Sequence, residues 1–190
     1  QLSSGVVNIF STNTAAAALK SDGSVVTWGE KIYGGDSSSV ISQISSDVIS
    51  ISTTGYAFAA LKSDGSVVTW GENERGGDSS LVSDDLSSGV QKIYGGGDVF
   101  AALKDDGSVI SWGDYEPISD SGSVTTSWES VKDQLSNGVV DVVHNGQSDA
   151  WAALKSDGSV VTWGRNDYGG DSTVVMGLSL IHISEPTRHR

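Results

Sequence analysis

The chain has 190 residues, a formal net charge of −13, 37% hydrophobic residues, 24 glycines, two prolines and no cysteine. The missing cysteine removes disulfide frameworks, thiolate catalysis and cysteine metal sites together. Lys and Arg are scattered singly, so the acidity argues against binding nucleic acid or an anionic membrane surface, and no apolar run reaches the ~18 residues of a membrane span.

The chain is organised around Ala59–Gly71, AALKSDGSVVTWG, which recurs at Ala17–Gly29, Ala101–Gly113 (as AALKDDGSVISWG) and Ala152–Gly164. Its tryptophans, Trp28, Trp70, Trp112 and Trp163, are spaced by 42, 42 and 51 residues. A second marker, Leu2, Ile44, Leu86 and Leu135, is spaced by 42, 42 and 49. Seven extra residues therefore follow Trp112 and two more precede Leu154. Self-similarity at such a period marks stacked repeats, each unable to bury its apolar face alone. The units expected are 2–43, 44–85, 86–134 and 135–177.

Taken in order, the chain opens within a motif, because Leu2-Ser3-Ser4-Gly5-Val6 echoes Leu86-Ser87-Ser88-Gly89-Val90. This suggests a piece of a longer array. A first strand is expected at Val6–Phe10, Val48–Ser52, Val90–Tyr94 and Val139–Val143. A hairpin follows, as in Tyr56–Lys62 and Ser66–Trp70 joined by Ser63-Asp64-Gly65, since Asp-Gly between two apolar runs is a strong hairpin signal. The turn glycines Gly23, Gly65, Gly107 and Gly158 supply its positive φ. After the Trp comes a Gly-Gly-Asp loop, preceded by Tyr33, Arg75 or Tyr168.

Next, a stretch such as Asp78–Leu86 reads as a short capped helix. Its clearest copy is Ser127–Asn137, with Trp128, Val131 and Leu135 on one face and Gly138 behind. Unit three departs from the pattern: DYEPISDSGSVTTSWESVKDQL follows Trp112 and Gly113, losing Gly-Gly and gaining Pro117 and Trp128. Residues 178–190, LSLIHISEPTRHR, match no repeat position and resemble translated sequencing-adapter read-through. The expected architecture is mainly β, a propeller-like array of four units, each of three strands plus a short helix. An open β-solenoid is the alternative.

Reacting groups are sparse. Outside the tail the only histidine is His144, a poor basis for a Ser-His-Asp arrangement or a histidine metal site. The turn aspartates Asp22, Asp64, Asp106 and Asp157 supply one carboxylate per unit, whereas calcium takes six to eight oxygens in one cage. The glycine-rich loops lack the Lys-Ser/Thr of a phosphate cradle. No catalytic residue, cofactor or metal is therefore expected. The repeated tryptophans read as packing between units rather than as glycan platforms, since each closes a β-branched strand.

The pattern A-L-K-x-D-G-x-V-x-x-W-G, four times over, resembles the repeats of the RCC1-like family, the regulator of chromosome condensation type. The resemblance covers about Leu2–Gly177. It implies a β-propeller, typically of about seven blades, serving as a binding platform; one family member is a guanine-nucleotide exchange factor that also docks on chromatin. The unit here is shorter than the usual repeat, and Gly-Gly-Asp replaces the family's Gly-Gln-Leu-Gly. Nothing matches the exchange-active loops. The function expected is a non-enzymatic scaffold that binds a protein partner through rim loops, with Tyr33, Tyr115, Trp128 and Tyr168 as candidate contacts. The alternatives are an exchange-type regulator of a small GTPase and a secreted or surface glycan- or calcium-binding array.

Overall fold

The computed structural model describes residues 2–113, 125–146 and 149–173. Each unit is an antiparallel sheet whose strands follow one another in sequence. The first holds β1 (Val6–Ser11), β2 (Ala15–Lys20) and β3 (Val25–Gly29); the second β4 (Val48–Thr53), β5 (Ala57–Lys62) and β6 (Val67–Gly71); the third β7 (Val90–Gly95), β8 (Val99–Lys104) and β9 (Val109–Gly113). The fourth gains an edge strand, β10 (Thr125–Thr126), beside β13 (Val160–Arg165), with β12 (Ala150–Lys155) and β11 (Val139–His144) beyond.

The register is the same in every sheet. Trp28, Trp70, Trp112 and Trp163 stand opposite Ala16, Phe58, Phe100 and Trp151. Because side chains alternate across a strand, each sheet presents one set of residues to the preceding unit and another to the following one. The middle strands are alanine-rich, and Ala17, Ala18, Ala59, Ala60, Ala101 and Ala102 are fully buried. Small side chains on both faces let neighbouring sheets approach closely.

The Asp-Gly turn at the end of each hairpin also holds the next unit. Val48 donates its N–H to the Gly23 carbonyl at 3.1 Å, Val90 to Gly65 at 3.0 Å and Val139 to Gly107 at 2.9 Å. A Cβ on Gly65 would lie 2.8 Å from the Gly89 nitrogen, so the turn needs glycine for this close approach as well as for its φ of +79°. The turn aspartates serve the turn itself. Asp64 Oδ1 accepts from Ser66 N–H at 3.0 Å and Ser66 Oγ at 2.6 Å, and Asp22, Asp106 and Asp157 repeat the pattern.

The connecting helix is reduced to single turns. Unit two has a 3₁₀ turn at Ser80–Val82, and residues 38–43 of unit one form only a run of turns. The α-helix α1 (Trp128–Val131) is capped by Ser127, whose Oγ accepts the Glu129 N–H at 3.2 Å. Ile44, Leu86 and Leu135, from these segments, are buried at 0%, 2% and 0% exposure, and their carbonyls accept the Val25, Val67 and Val109 N–H groups at the base of the first three sheets. No helix among the described residues is long and apolar enough to cross a membrane.

Candidate functional site

Two kinds of loop gather on the rim opposite the Asp-Gly turns. One joins the first and second strands of a unit; the other follows the Trp. They are tied together by Glu30 N–H to the Thr14 carbonyl, Glu72 to Tyr56 and Arg165 to Asp149, each at 3.1 Å. The first-type loops also bond along the array. Asn13 N–H donates to the Gly55 carbonyl at 2.9 Å, and Gly55 N–H to the Gly97 carbonyl at 2.7 Å. In the fourth unit the side chain of Asp149 takes over, its Oδ1 accepting the Gly97 N–H at 2.8 Å and the Asp98 N–H at 3.2 Å.

The loop after the Trp crosses the unit boundary. In Tyr33-Gly34-Gly35 and Arg75-Gly76-Gly77 the middle glycine has φ of +96° and lies against the aromatic ring of the next unit. The Gly34 carbonyl accepts the Trp70 indole N–H at 3.1 Å, and Gly76 accepts that of Trp112 at 3.1 Å. Phe58 stacks on Trp70 and Phe100 on Trp112, each with ring centroids 5.2 Å apart. Trp151 stacks on Trp163 at 5.9 Å. Trp28 is the exception at 39% exposure, against 3% for Trp70.

These loops carry a line of rings and charges. Tyr33 meets Tyr56 edge-on, with centroids 5.2 Å apart. The Arg75 guanidinium lies 4.2 Å over the Tyr56 ring, pairs with Asp98 at 2.9 Å and reaches Glu72 at 3.4 Å. Tyr33, Tyr56, Arg75 and Asp98 are all half-buried. At the first two boundaries the residue just before Gly-Gly therefore faces the residue just before the next unit's second strand: tyrosine on tyrosine at one, arginine on aspartate at the other. Further along, the Arg165 guanidinium lies 5.0 Å over the Tyr168 ring.

Asp149 is the buried charge of this rim. Burial pushes its carboxyl up to about 6, reinforced by the nearby Asp98 charge and opposed by the Asp98 and Gly97 N–H donors and by Arg165. The exposed turn aspartates go the other way, since hydrogen bonds from Ser24, Ser66 and Ser159 hold Asp22, Asp64 and Asp157 below the usual carboxylate range.

Of the residues singled out from the sequence, Tyr33 and Tyr168 stand on this rim, and Tyr115 lies outside the described residues. Trp128 is no exposed rim contact, although Asn73 and Glu74 of the loop after Trp70 line the same pocket. It is 9% exposed and packs in the core, where it borders a cavity of about 380 Å³ beside Leu81, Val82 and Trp112. Its amphipathic spacing with Val131 and Leu135 was the signal for that burial. Sequence reading missed Tyr56, Arg75, Asp98 and Asp149. Arg75 had a signal, since it occupies the repeat position of Tyr33 and Tyr168. Among the described residues no group of three or more His, Asp or Glu converges to hold a metal ion.

Residues 48–76 match the family model of the regulator of chromosome condensation (RCC1) repeat. No curated protein matches the chain by sequence. Among solved structures it is similar to the CRINKLY WD40 ectodomain of the Arabidopsis thaliana receptor kinase ACR4, at 22% identity and a TM-score of 0.52 over 84% of this chain and 50% of that one. It is also similar to human WBSCR16 (19% identity, TM-score 0.53, 89% and 50% covered) and to Prp20p from Saccharomyces cerevisiae (18%, 0.52, 85% and 44%). The chain thus spans half or less of the length of these structures. The likeness establishes the fold as a mainly β array of the propeller type. Its repeats are RCC1-like, with the direct sequence match in the second unit.

Proposed function

We propose that the chain is a non-enzymatic repeat scaffold that binds a protein partner through the rim bearing Tyr33, Tyr56, Arg75 and Asp98. The observation that carries this reading is that these four side chains are held in place by one another across unit boundaries, yet remain half exposed. Tyr and Arg are enriched at the energetic centres of protein interfaces, and side chains already ordered lose less entropy on binding. Tyr168 extends the line, with its ring 52% exposed. The array of units 2–43, 44–85, 86–134 and 135–177 acts as the rigid support.

The fold likeness supports the same reading, since Prp20p is described by its binding to Gsp1p and histones. An exchange-type action on a small GTPase is the second reading, and it rests on the resemblance of the repeats to the RCC1 type. The test is to capture partners with the wild-type chain, purify them, and titrate each against wild type and a Tyr33→Ala/Arg75→Ala variant of unchanged circular dichroism. At least tenfold weaker binding by the variant is the expected result. Equal affinities would move the contact off this rim, and accelerated nucleotide release from a captured GTPase would favour the exchange reading.

A further inference from the structure

Each sheet ends on an outer strand, and among the described residues only that of unit four is covered by another. There β10 pairs antiparallel with β13, Thr126 standing opposite Gly164 and Thr125 opposite Arg165. The covering strand comes from the long connection of unit three, in which Leu135 follows Trp112 by 23 positions. In unit one Ile44 follows Trp28 by 16 positions. That shorter connection closes as turns over residues 38–43 and brings no strand to β6 of unit two.

The outer edge of β6 is nonetheless ready to pair. Lys62 N–H donates to the Ser66 carbonyl at 2.9 Å, and Glu72 N–H to that of Tyr56 at 3.1 Å. Phe58 stands opposite Trp70 and Ala60 opposite Val68. The alternation of an antiparallel pair therefore commits the main-chain groups of Val68 and Trp70 to β5 and turns those of Thr69 and Gly71 outward. Among the described residues nothing bonds the Thr69 or Gly71 N–H. Gly77 folds over Gly71 as Gly170 folds over Gly164, where β10 pairs all the same, so this loop leaves room for a strand.

A groove runs along this edge, in two hollows of about 510 and 500 Å³ that meet at Thr69. Its walls come from the connections of units one and two, so neither end of the chain opens it. They carry Asp36, Asp64, Glu72 and Glu74 against Lys31 and Lys62, on a chain of net charge −13. Asn73 lines the end nearest the rim and holds the repeat position of Asn166, whose Oδ1 accepts the Thr126 hydroxyl at 2.8 Å.

We propose that β6 takes up an extended, basic segment of a protein partner as a fourth, antiparallel strand. A threonine or serine of that segment stands opposite Gly71 and donates to Asn73, as Thr126 does to Asn166. Main-chain bonds at Thr69 and Gly71 supply the affinity of such strand addition. The surplus of carboxylates selects a basic sequence over an acidic one. This surface is separate from the rim of Tyr33, Tyr56, Arg75 and Asp98.

The probe is the end-blocked peptide Lys-Val-Thr-Thr-Val-Lys, titrated to millimolar concentration into the isotope-labelled full chain and followed by amide resonances. The Thr69 and Gly71 amides are expected to shift and gain protection from solvent exchange, while that of Gly164, already covered by β10, stays put. N-methylating alternate residues of the peptide gives two further probes, of which one should lose binding and the other keep it. Replacing both lysines by glutamate should weaken binding about tenfold, and Asn73→Ala should weaken it about two- to tenfold, as loss of one hydrogen bond does. No shift at millimolar peptide, equal binding by the two methylated probes or by the glutamate peptide, or no effect of Asn73→Ala overturns the proposal. So do shifts centred on Tyr33 and Arg75, which place the contact on the rim. Thr69 and Gly71 amides already protected in the free chain overturn it as well, because the chain itself then fills the edge.

Discussion

The Trp70 indole N–H donates to the Gly34 carbonyl at 3.1 Å, across the boundary between the first and second units. The bond sits where Phe58 stacks on Trp70, so one side chain contributes apolar burial, ring stacking and a buried hydrogen bond to the same seam. Trp70→Ala is expected to cost about 3–5 kcal/mol, as large-to-small changes in packed cores do. Trp28→Ala, which removes a part-exposed ring lacking both partners, should cost less than about 1 kcal/mol. Urea denaturation of the two variants side by side checks the contrast, and equal losses would contradict it.

Gly34 and Gly169 separate two costs that usually come together. At Gly34 an added methyl meets both an unfavourable φ and the Phe58 ring, while at Gly169 it meets the φ alone. The strain of a left-handed L-residue is about 1–2 kcal/mol, and overpacking adds about 1–3 kcal/mol. Gly34→Ala should therefore lower the melting temperature clearly more than Gly169→Ala. Matching shifts would mean that the Phe58 ring gives way freely.

Arg75 bridges its own unit to the next through Tyr56 and Asp98. A double-mutant cycle with Arg75→Ala and Asp98→Ala should yield a coupling of about 0.2–1 kcal/mol, as expected for a pair still open to solvent. Half-molar salt should shrink it. A coupling that salt does not touch would point to a packing origin in the arginine stem instead.

Asp149 sets a pH dependence opposite to that of the turn aspartates. Its carboxyl is raised to about 6 when folded, so the folded state holds the proton more tightly than the unfolded chain does. Its contribution to stability is full below the ordinary carboxylate range and is lost as pH rises through about 6. Asp22, Asp64 and Asp157 titrate lower when folded, so their contribution is present near neutrality and fades as the solution turns acid. Asp149→Asn keeps an oxygen for the Gly97 and Asp98 N–H groups and carries no charge. It should raise the melting temperature at pH 7.5 and change it little at pH 4.5. A loss at pH 7.5 would show that the charge is wanted, through Arg165.

The strands were legible because β-branched runs and Asp-Gly turns recur at one spacing, and local chemistry decides both. The helices were less so. Val40 and Ile41 are poor helix formers, and the serines around them compete for the backbone, so Ser38–Gln43 closes as turns, while Ser127-Trp128-Glu129 has a true cap. Tyr33 and Tyr168 were legible on the rim as the aromatic variants of a repeated loop. Tyr56 and Asp98 were not, because the position before the second strand holds Thr14, Tyr56, Asp98 and Asp149 in turn. Nothing local in that variation names a partner 23 residues away in the preceding unit.

Because the first two seams use the same donor, carbonyl and stacked pair, they do not distinguish which unit follows which. Excising residues 36–77, one period, would set Gly34 against Phe100 and give its carbonyl to Trp112, the role Gly76 fills now. The rim would register the loss, with Tyr33 facing Asp98 in place of Tyr56, and within the seam Phe10 would stand where Ser52 Oγ now donates to the Ile93 carbonyl. Unequal exchange between coding repeats can therefore lengthen or shorten the array without breaking a seam, and what such events reshuffle is the order of side chains along the rim.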